Sequence, residues 1–493
     1  MDTPSKYDYL ETVRAEPEAR SMIETFRAIG YSVETAVADI IDNSISAGAS
    51  KIWVDFEWKG SGTYLKITDD GHGMDEAGLF QAMRPGSRSP LEERGKYDLG
   101  RFGLGLKTAS FSQCRKLTVL SKKKESYVSC FTWDLDFVNT TGKWDLIKHF
   151  SSEFHELPDN LTSGTVVVWE NLDRLVMGAR EEDKDALNKF LETAETIKKH
   201  LAMVFHRFME QGKIALFFQQ RQVEAWDPYL KGEDGLQSFP EEQLQNGQVT
   251  VKGYVLPHKS KISESRFRYA EGPKGWNEQQ GFYIYRNQRL LVAGDWLGMF
   301  RKEEHFKLAR IQVDLPNTLD AEWQIDIKKS VARLPPHLKS QLKAIASRVR
   351  AQAVEVYRHK GKVLQRKFTG FEFQHIWNEK VRHGKRFYEI NREHPAIRMF
   401  SEAMPGQEKN LKELLRFIEE TVPVPLITIR EAEQPEIQCS PFEHVDHDPV
   451  RKLMQQMFEK LLATGKTDEQ AKGIILNIEP FNHFPQYLEL LKK

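Results

Sequence analysis

The stretch ADIIDNSISAGA, Ala38 to Ala49, decides how the rest of the chain is read. Val33, Ala36, Val37, Ile40, Ile41 and Ile45 recur at helical spacing, so one face is expected to pack on a sheet. Asp39, Asp42, Asn43 and Ser46 fall at i, i+3, i+4 and i+7, which stacks carboxylates and a carboxamide along the opposite, exposed line. Ser32 is placed to cap the start, Glu34 suits the first turn, and Gly48 is placed to end the helix in a left-handed turn. Taken alone, the pattern also fits an ordinary amphipathic helix with a solvated polar face.

Two glycine loops downstream favour chemistry. ITDDGHGM, Ile67 to Met74, closes an alternating strand that starts at Tyr64, so Asp69 lands where strand becomes loop and Gly71 and Gly73 permit close backbone approach. DLGRFGLGLKTAS, Asp98 to Ser110, then sets Gly100, Gly103 and Gly105 ahead of a helix-competent run with Lys107. Free backbone N–H groups and a helix start are thereby offered together to an anion such as a phosphate chain. SGTVVVWENL, Ser163 to Leu172, follows.

In that order, IIDNS, TDDGHGM and GRFGLGLKTAS resemble the motifs of the GHKL ATPase superfamily, with the nearest likeness to its MORC-like and MutL-like branch over roughly the first two-thirds of the chain. That branch includes prokaryotic relatives associated with restriction and DNA processing. The resemblance implies an α+β architecture: a GHKL (Bergerat) ATP-binding α/β sandwich, then a ribosomal-protein-like α/β transducer domain, then a mainly helical region. It implies ATP and Mg²⁺, with Asn43 as metal ligand, Asp69 accepting the adenine amino group, and Thr165 assisting through a water. Asp42, Gly71, Gly73 and Met74 would line the nucleotide, and Gly100, Arg101, Phe102, Gly103, Leu104, Gly105 and Lys107 would wrap the triphosphate. Asp39 would be the general base. The family usually places Glu there, one methylene longer, so slow basal hydrolysis is expected. Lys329, or its neighbour Lys328, stands where relatives send a lysine to the γ-phosphate.

The chain has 493 residues, 40% hydrophobic and 29% charged, which fits two to three globular domains. Lys+Arg and Asp+Glu are both 71, so any affinity for nucleic acid must come from a local patch. Its opening residues lack a signal-peptide core, there is no 18-residue apolar run, and three cysteines give no disulfide framework, so a cytoplasmic protein without a membrane span is expected.

Three regions are expected: an ATP-binding domain over 1–205, a transducer over 206–345 opening with the strand KIALFFQQ, and 346–493, mainly helical and partly basic. A hairpin around KGSG, a helix from Asp75 to Met83 and a lid over 84–98 belong to the first. GFYIYRNQRLL, Gly281 to Leu291, and RIQVDLP, Arg310 to Pro316, are the clearest strands of the second. Between Lys339 and Lys367, nine basic residues face only Glu355, which suits either phosphate contact or solvent. The cluster Cys439, His444, Asp446, His447 and Asp448 fits no standard metal spacing. A slowly hydrolysing, ATP-gated dimer clamp in DNA processing or restriction is therefore expected, with duplex DNA and DNA-processing proteins as partners. The residues before Tyr31 are the candidate dimer-exchange element. A nucleotide-gated binding module with little hydrolysis and a protein-remodelling chaperone are the alternatives.

Overall fold

The computed structural model describes residues 13, 15–86, 105–148, 157–158, 161–176, 178–326, 329, 332–358, 374–382, 385–424 and 446–491. The chain divides into two compact units, 1–354 and 355–493.

Unit 1 is α+β and holds two sheets. The first contains β1 (Lys51–Glu57), β2 (Tyr64–Asp69), β3 (Lys116–Lys122), β4 (Ser129–Asp134), β5 (Gly164–Glu170), β6 (Ala215–Phe218) and β7 (Arg221–Gln222), in the order β4-β3-β5-β2-β1-β6-β7. Alternation along the strands turns Leu65, Ile67, Leu117, Val119, Val167 and Trp169 toward a large core shared with the helices. Leu120, Cys130, Val166 and Val168 gather on the reverse with Leu157. The helices are α1 (Ala19–Ala28), α2 (Val33–Ser46), α3 (Glu76–Met83), α4 (Gly105–Phe111), α5 (Leu135–Thr141) and α6 (Lys184–Val204). β2 lies in the middle of the order, flanked by β1 and β5, so its last residue, Asp69, emerges from the interior of the sheet beside Ile52 and Thr165. KIALFFQQ does not open the second sheet: its strand β6 pairs parallel with β1, Lys51 opposite Ala215, and completes the first.

α2 packs on α4 and α6 through Val33, Ala36, Val37, Ile40 and Ile41, all buried. Ser32 does not cap it; its hydroxyl lies 3.0 Å from the Thr35 hydroxyl. Gly48 takes φ +71° just past the helix, a conformation that favours glycine. In α1, Ile23 and Phe26 are buried in this chain's own core, and Arg27 ties the helix to the Phe111 and Cys114 carbonyls and to Asp173. Those two side chains are thus engaged internally rather than free for exchange, while Tyr7, Tyr9 and Leu10 lie outside the described residues.

The second sheet contains β8 (Gln237–Ser238), β9 (Glu242–Leu244), β10 (Val249–Val255), β11 (Gly281–Arg286), β12 (Arg289–Asp295) and β13 (Ala309–Leu315). Its order is β12-β11-β13-β10-β8, with β9 also on β10 and β11 parallel to β13. GFYIYRNQRLL is two strands, not one: Asn287 and Gln288 take φ +47° and +73° and reverse the chain between β11 and β12. α7 (His206–Glu210) joins this sheet to α6, through His206 Nε2 on the Tyr285 hydroxyl at 2.9 Å and Arg207 over the Tyr285 ring.

In the basic stretch, α8 (Lys339–Arg358) lays Leu342, Ile345, Ala346 and Val349 inward. Gly253 on β10 leaves room for Val349, whose Cγ2 would lie 2.4 Å from any Cβ there. Arg348 pairs with Glu242, and Arg350 covers Phe300 and Phe306 at 3.9 and 3.7 Å. With Lys343 over the Phe300 ring at 5.9 Å, three of the nine basic side chains make such contacts among the described residues. Residues 359–367 lie outside the described residues.

Unit 2 contains a hairpin, β14 (Trp377–Arg382) with β15 (Lys385–Ile390), then α9 (Pro395–Glu402), α10 (Glu408–Glu420) and two further helices, Asp448–Ala463 and Asp468–Leu476. Met454, Phe458, Ala471, Ile475 and Phe481 centre its core. No helix among the described residues is long and apolar enough to cross a membrane.

Candidate functional site

The polar face of α2 meets the end of β2 on one side and the second sheet on the other. Its line of side chains is not uniformly exposed. Asp39 and Asp42 are 2% and 0% exposed, while Asn43 faces solvent with no side-chain partner among the described residues. Burial of the two carboxylates follows from cations delivered by distant parts of the chain. Lys329 Nζ lies 3.2 Å from Asp39 Oδ1 and 2.6 Å from Asp42 Oδ2. From the start of β12, Arg289 sends Nε to both Asp42 oxygens at 3.1 Å, with Nη2 4.0 Å from Asp39 Oδ1. Buried charges persist only when paired and hydrogen-bonded, and here two carboxylates meet two cations.

Electrostatically the two aspartates differ. Burial pushes the Asp39 carboxyl above the usual range, and Lys329 only partly opposes it. At Asp42 burial pushes the same way, but Arg289 and Lys329 outweigh it and hold the carboxyl below the usual range. Asp39 also accepts a hydrogen bond from the Tyr31 hydroxyl at 2.9 Å. α4 begins against it, since a Cβ on Gly105 would lie 3.6 Å from Asp39 Oδ2.

At the end of β2, Asp69 is 5% exposed. Its Oδ2 accepts from the Ser44 hydroxyl at 2.8 Å and its Oδ1 from the Gly71 amide at 2.9 Å. Burial raises its pKa, the Ser44 and Gly71 bonds opposing. The Thr165 backbone opposes it as well. The glycines hold this loop close: a Cβ on Gly71 would lie 2.9 Å from the Ala47 carbonyl, and one on Gly73, at φ +62°, 1.9 Å from that of Lys122. Met74 N donates to Ser121 Oγ at 2.9 Å, and Ser121 Oγ is 2.9 Å from the hydroxyl of Thr165, whose backbone faces Asp69.

Lys107, in α4, lies against the last turn of α3. It is 2% exposed, and its Nζ donates to the Ala82 carbonyl, in the last turn of α3, at 2.9 Å. Burial lowers its pKa to about 8. Gly100, Arg101, Phe102, Gly103, Leu104 and Lys328 lie outside the described residues, as do Cys439 and His444. The structure thus gathers Asp39, Asp42, Asn43, Gly105 and Lys329 around α2, and Asp69, Gly71, Gly73, Met74 and Thr165 around the end of β2. Sequence reasoning missed Tyr31, Ser44, Ser121 and Arg289. Ser44 was within reach, standing beside Asn43 in IIDNS; Arg289 carried no local signal, because its role depends on a fold contact 247 residues distant.

Compared with known proteins, residues 31–165 match the family model for histidine kinase-, DNA gyrase B- and HSP90-like ATPases. Residues 31–165 are thus a GHKL-type ATPase domain. The GHKL domain explains the sequence relatives. ATPase morc-1 of Caenorhabditis elegans is 24% identical over 216 residues, 35% of this chain and 25% of that protein. The DNA mismatch repair protein MutL of Clostridium acetobutylicum is 31% identical over 124 residues, 23% of this chain and 20% of that one. The matches thus span a quarter or less of these two curated relatives. A solved structure of the ATPase and transducer domains of DNA topoisomerase II from Balamuthia mandrillaris covers 67% of this chain and 86% of its own, with a TM-score of 0.38 and 12% identity. GHKL domains bind ATP, generally with Mg²⁺, and generally hydrolyse it.

The GHKL site's donor set fits such a ligand. Asn43 offers an exposed carboxamide, Asp69 is a buried carboxylate acceptor, and Gly71 and Gly73 let the loop after β2 pack closely on the Ala47 and Lys122 carbonyls.

Proposed function

We propose that this chain is a Mg²⁺-dependent ATPase working as a conformational switch. The observation that carries it is Lys329, which reaches across from beyond the second sheet to the buried carboxylates of α2. Nucleotide chemistry and the placement of the second sheet are thereby connected.

Asn43 would hold Mg²⁺, whose chemistry is to offset phosphate charge. Asp69 reads the adenine amino group, with Ser44 and Gly71 fixing its plane. Asp39 orients and deprotonates the attacking water while Tyr31 fixes the carboxylate, and Lys329 transfers its ammonium from the carboxylates toward the γ-phosphate. Leaving Asp39, Lys329 also unmasks the base, so hydrolysis waits for correct seating of ATP. The first sheet through Gln222 with its helices serves as the nucleotide domain, and the second sheet, within the expected 206–345 region, acts as transducer, while the role of 355–493 is accessory.

Turnover of Lys329→Ala tests this. Its ATP hydrolysis is expected to fall at least tenfold while ADP affinity changes little, because ADP lacks the contacted group. Equal losses for both nucleotides would remove Lys329 from the γ-phosphate.

Similarity to the DNA mismatch repair protein MutL supports a role in DNA-associated processing, and an ATP-dependent homodimer is part of this reading. Duplex DNA is expected to stimulate turnover, and a non-hydrolysable analogue to raise the mass measured by light scattering. The pairing of Lys329 with Asp39 also favours a second reading, a nucleotide-gated binding module with little hydrolysis. Tight ATP binding without turnover, with or without DNA, would select it.

A further inference from the structure

We infer that Arg289 is a positioning residue for ATP hydrolysis, the one that lets Lys329 change partners; this rests on the ATPase reading above. Three contacts define it. Nε meets both oxygens of Asp42 at 3.1 Å. Nη1 donates to the Lys329 carbonyl at 2.9 Å and to its neighbour Leu290's carbonyl at 3.1 Å. The side chain itself is 3% exposed, on the first residue of β12.

The division of labour is specific. Arg289 grips Lys329 by its main chain and leaves the ammonium untouched. Lys329 is held at φ +51°, a conformation uncommon for a residue with a side chain and retained only where the surroundings impose it. Its amide donates to the Asp326 carbonyl at 3.1 Å, so carbonyl and amide are both fixed while Nζ is shared between Asp39 and Asp42. A lysine anchored at its backbone and shared between two acceptors can redirect its head without moving its root.

Charge makes the second half of the case. With Lys329 on the carboxylates, the cluster holds two negative and two positive groups. When the ammonium leaves, Asp42 retains the Arg289 guanidinium on both oxygens, and Asp39 retains the Tyr31 hydroxyl. Without Arg289, Lys329 would be the sole cation contacting two buried carboxylates among the described residues, and its departure would strand both in a low-dielectric interior. Arg289 therefore raises the rate of the lysine's transfer by removing that opposition. Because the guanidinium grows from β12, any shift of the second sheet against α2 moves the anchor and the ammonium together.

The test uses the full chain with Mg-ATP and Mg-ADP, comparing parent, Arg289→Lys and Arg289→Gln. Lysine conserves charge, and thus folding, but one ammonium cannot serve both Asp42 oxygens and the Lys329 carbonyl as the planar fork does. The expected order of kcat is parent, then R289K about tenfold lower, then R289Q lower again, with ADP affinity by calorimetry within about threefold throughout. Should R289Q not fold, the comparison of R289K with parent decides. Parent-level kcat in R289K overturns the inference, as does ADP affinity falling in step with kcat, which would mark a merely structural residue. If the parent itself hydrolyses no ATP, the ATPase reading fails and this inference falls with it; an active parent with an equally active R289K sinks the inference alone.

Discussion

The hydroxyl of Tyr31 lies 2.9 Å from Oδ2 of Asp39, and both groups are buried. Burial and the neighbouring carboxylate push the Tyr31 pKa upward, so the phenol remains a donor at any physiological pH. Asp39 is thereby held in one orientation with one oxygen committed, which suits a general base. Asp39→Asn is expected to bind nucleotide like the parent and lose turnover, and Tyr31→Phe to lower kcat by about tenfold, the scale expected when a catalytic group loses orientation. Asp42→Asn acts on stability instead, since it strands Arg289; a loss of about 3–5 kcal/mol is the scale for breaking a buried pair. Denaturant titration beside steady-state turnover separates the two aspartates. Active Asp39→Asn with inactive, stable Asp42→Asn would exchange their roles.

Asn43→Ala is expected to abolish the magnesium dependence of ATP binding. Its carboxamide is the exposed donor on this face, whereas Asp39 and Asp42 are already bonded to cations. Calorimetry with and without Mg²⁺ reads the difference, and a variant that still gains affinity from the metal would move the ligand elsewhere.

Asp69→Asn is expected to lower the preference for ATP over GTP. The substitution puts a donor where the adenine amino group needs an acceptor. Ser44→Ala should give a smaller effect of the same sign, because the Ser44 hydroxyl fixes the carboxylate at 2.8 Å without touching the base. Competition binding of the two nucleotides is the measurement; unchanged selectivity in Asp69→Asn would dismiss this residue as the reader.

Lys107 predicts a pH dependence of stability. An unfolded lysine keeps its proton to about pH 10.4, whereas in the fold burial lowers the pKa to about 8. Between those values the unfolded state binds more protons, so stability rises with pH across the window and the penalty is full below it. Lys107→Met removes the penalty. It is expected to gain about 1–3 kcal/mol at pH 7, given about 1.4 kcal/mol per pKa unit less the lost bond to Ala82. By pH 10 the gain should have nearly vanished. A gain of the same size at both pH values would show that the ammonium is not the cause.

Much of the site was legible because its parts are local in sequence. Helical spacing alone put Asp39, Asp42 and Asn43 on one turn-and-a-half of α2, and strand alternation alone put Asp69 at the end of β2. What sequence could not show is what covers them. The expectation of an exposed acidic line failed because Arg289 and Lys329, 247 and 287 residues away from Asp42, neutralise it and shut out solvent. As for Lys107, a lysine after a glycine-rich turn reads as a phosphate ligand, and nothing local shows that its ammonium also meets the Ala82 carbonyl at the end of α3. The hairpin hidden in GFYIYRNQRLL escaped because Asn-Gln lacks the glycine that usually signals such a turn. KIALFFQQ reads as the strand that opens the second region, because nothing in its own residues names β1 as its neighbour.

That neighbour has a practical bearing on how the protein can be cut. β6 lies parallel to β1 over Lys51 to Val54, and Phe217 stacks on Trp53 at 5.7 Å. A fragment stopped at residue 205 would bare the flank of β1, with Ile52 and Val54 beside a row of unpaired amides and carbonyls, the kind of edge that recruits other chains. Soluble, monodisperse nucleotide-binding pieces should therefore begin to appear only when truncation falls beyond Gln222.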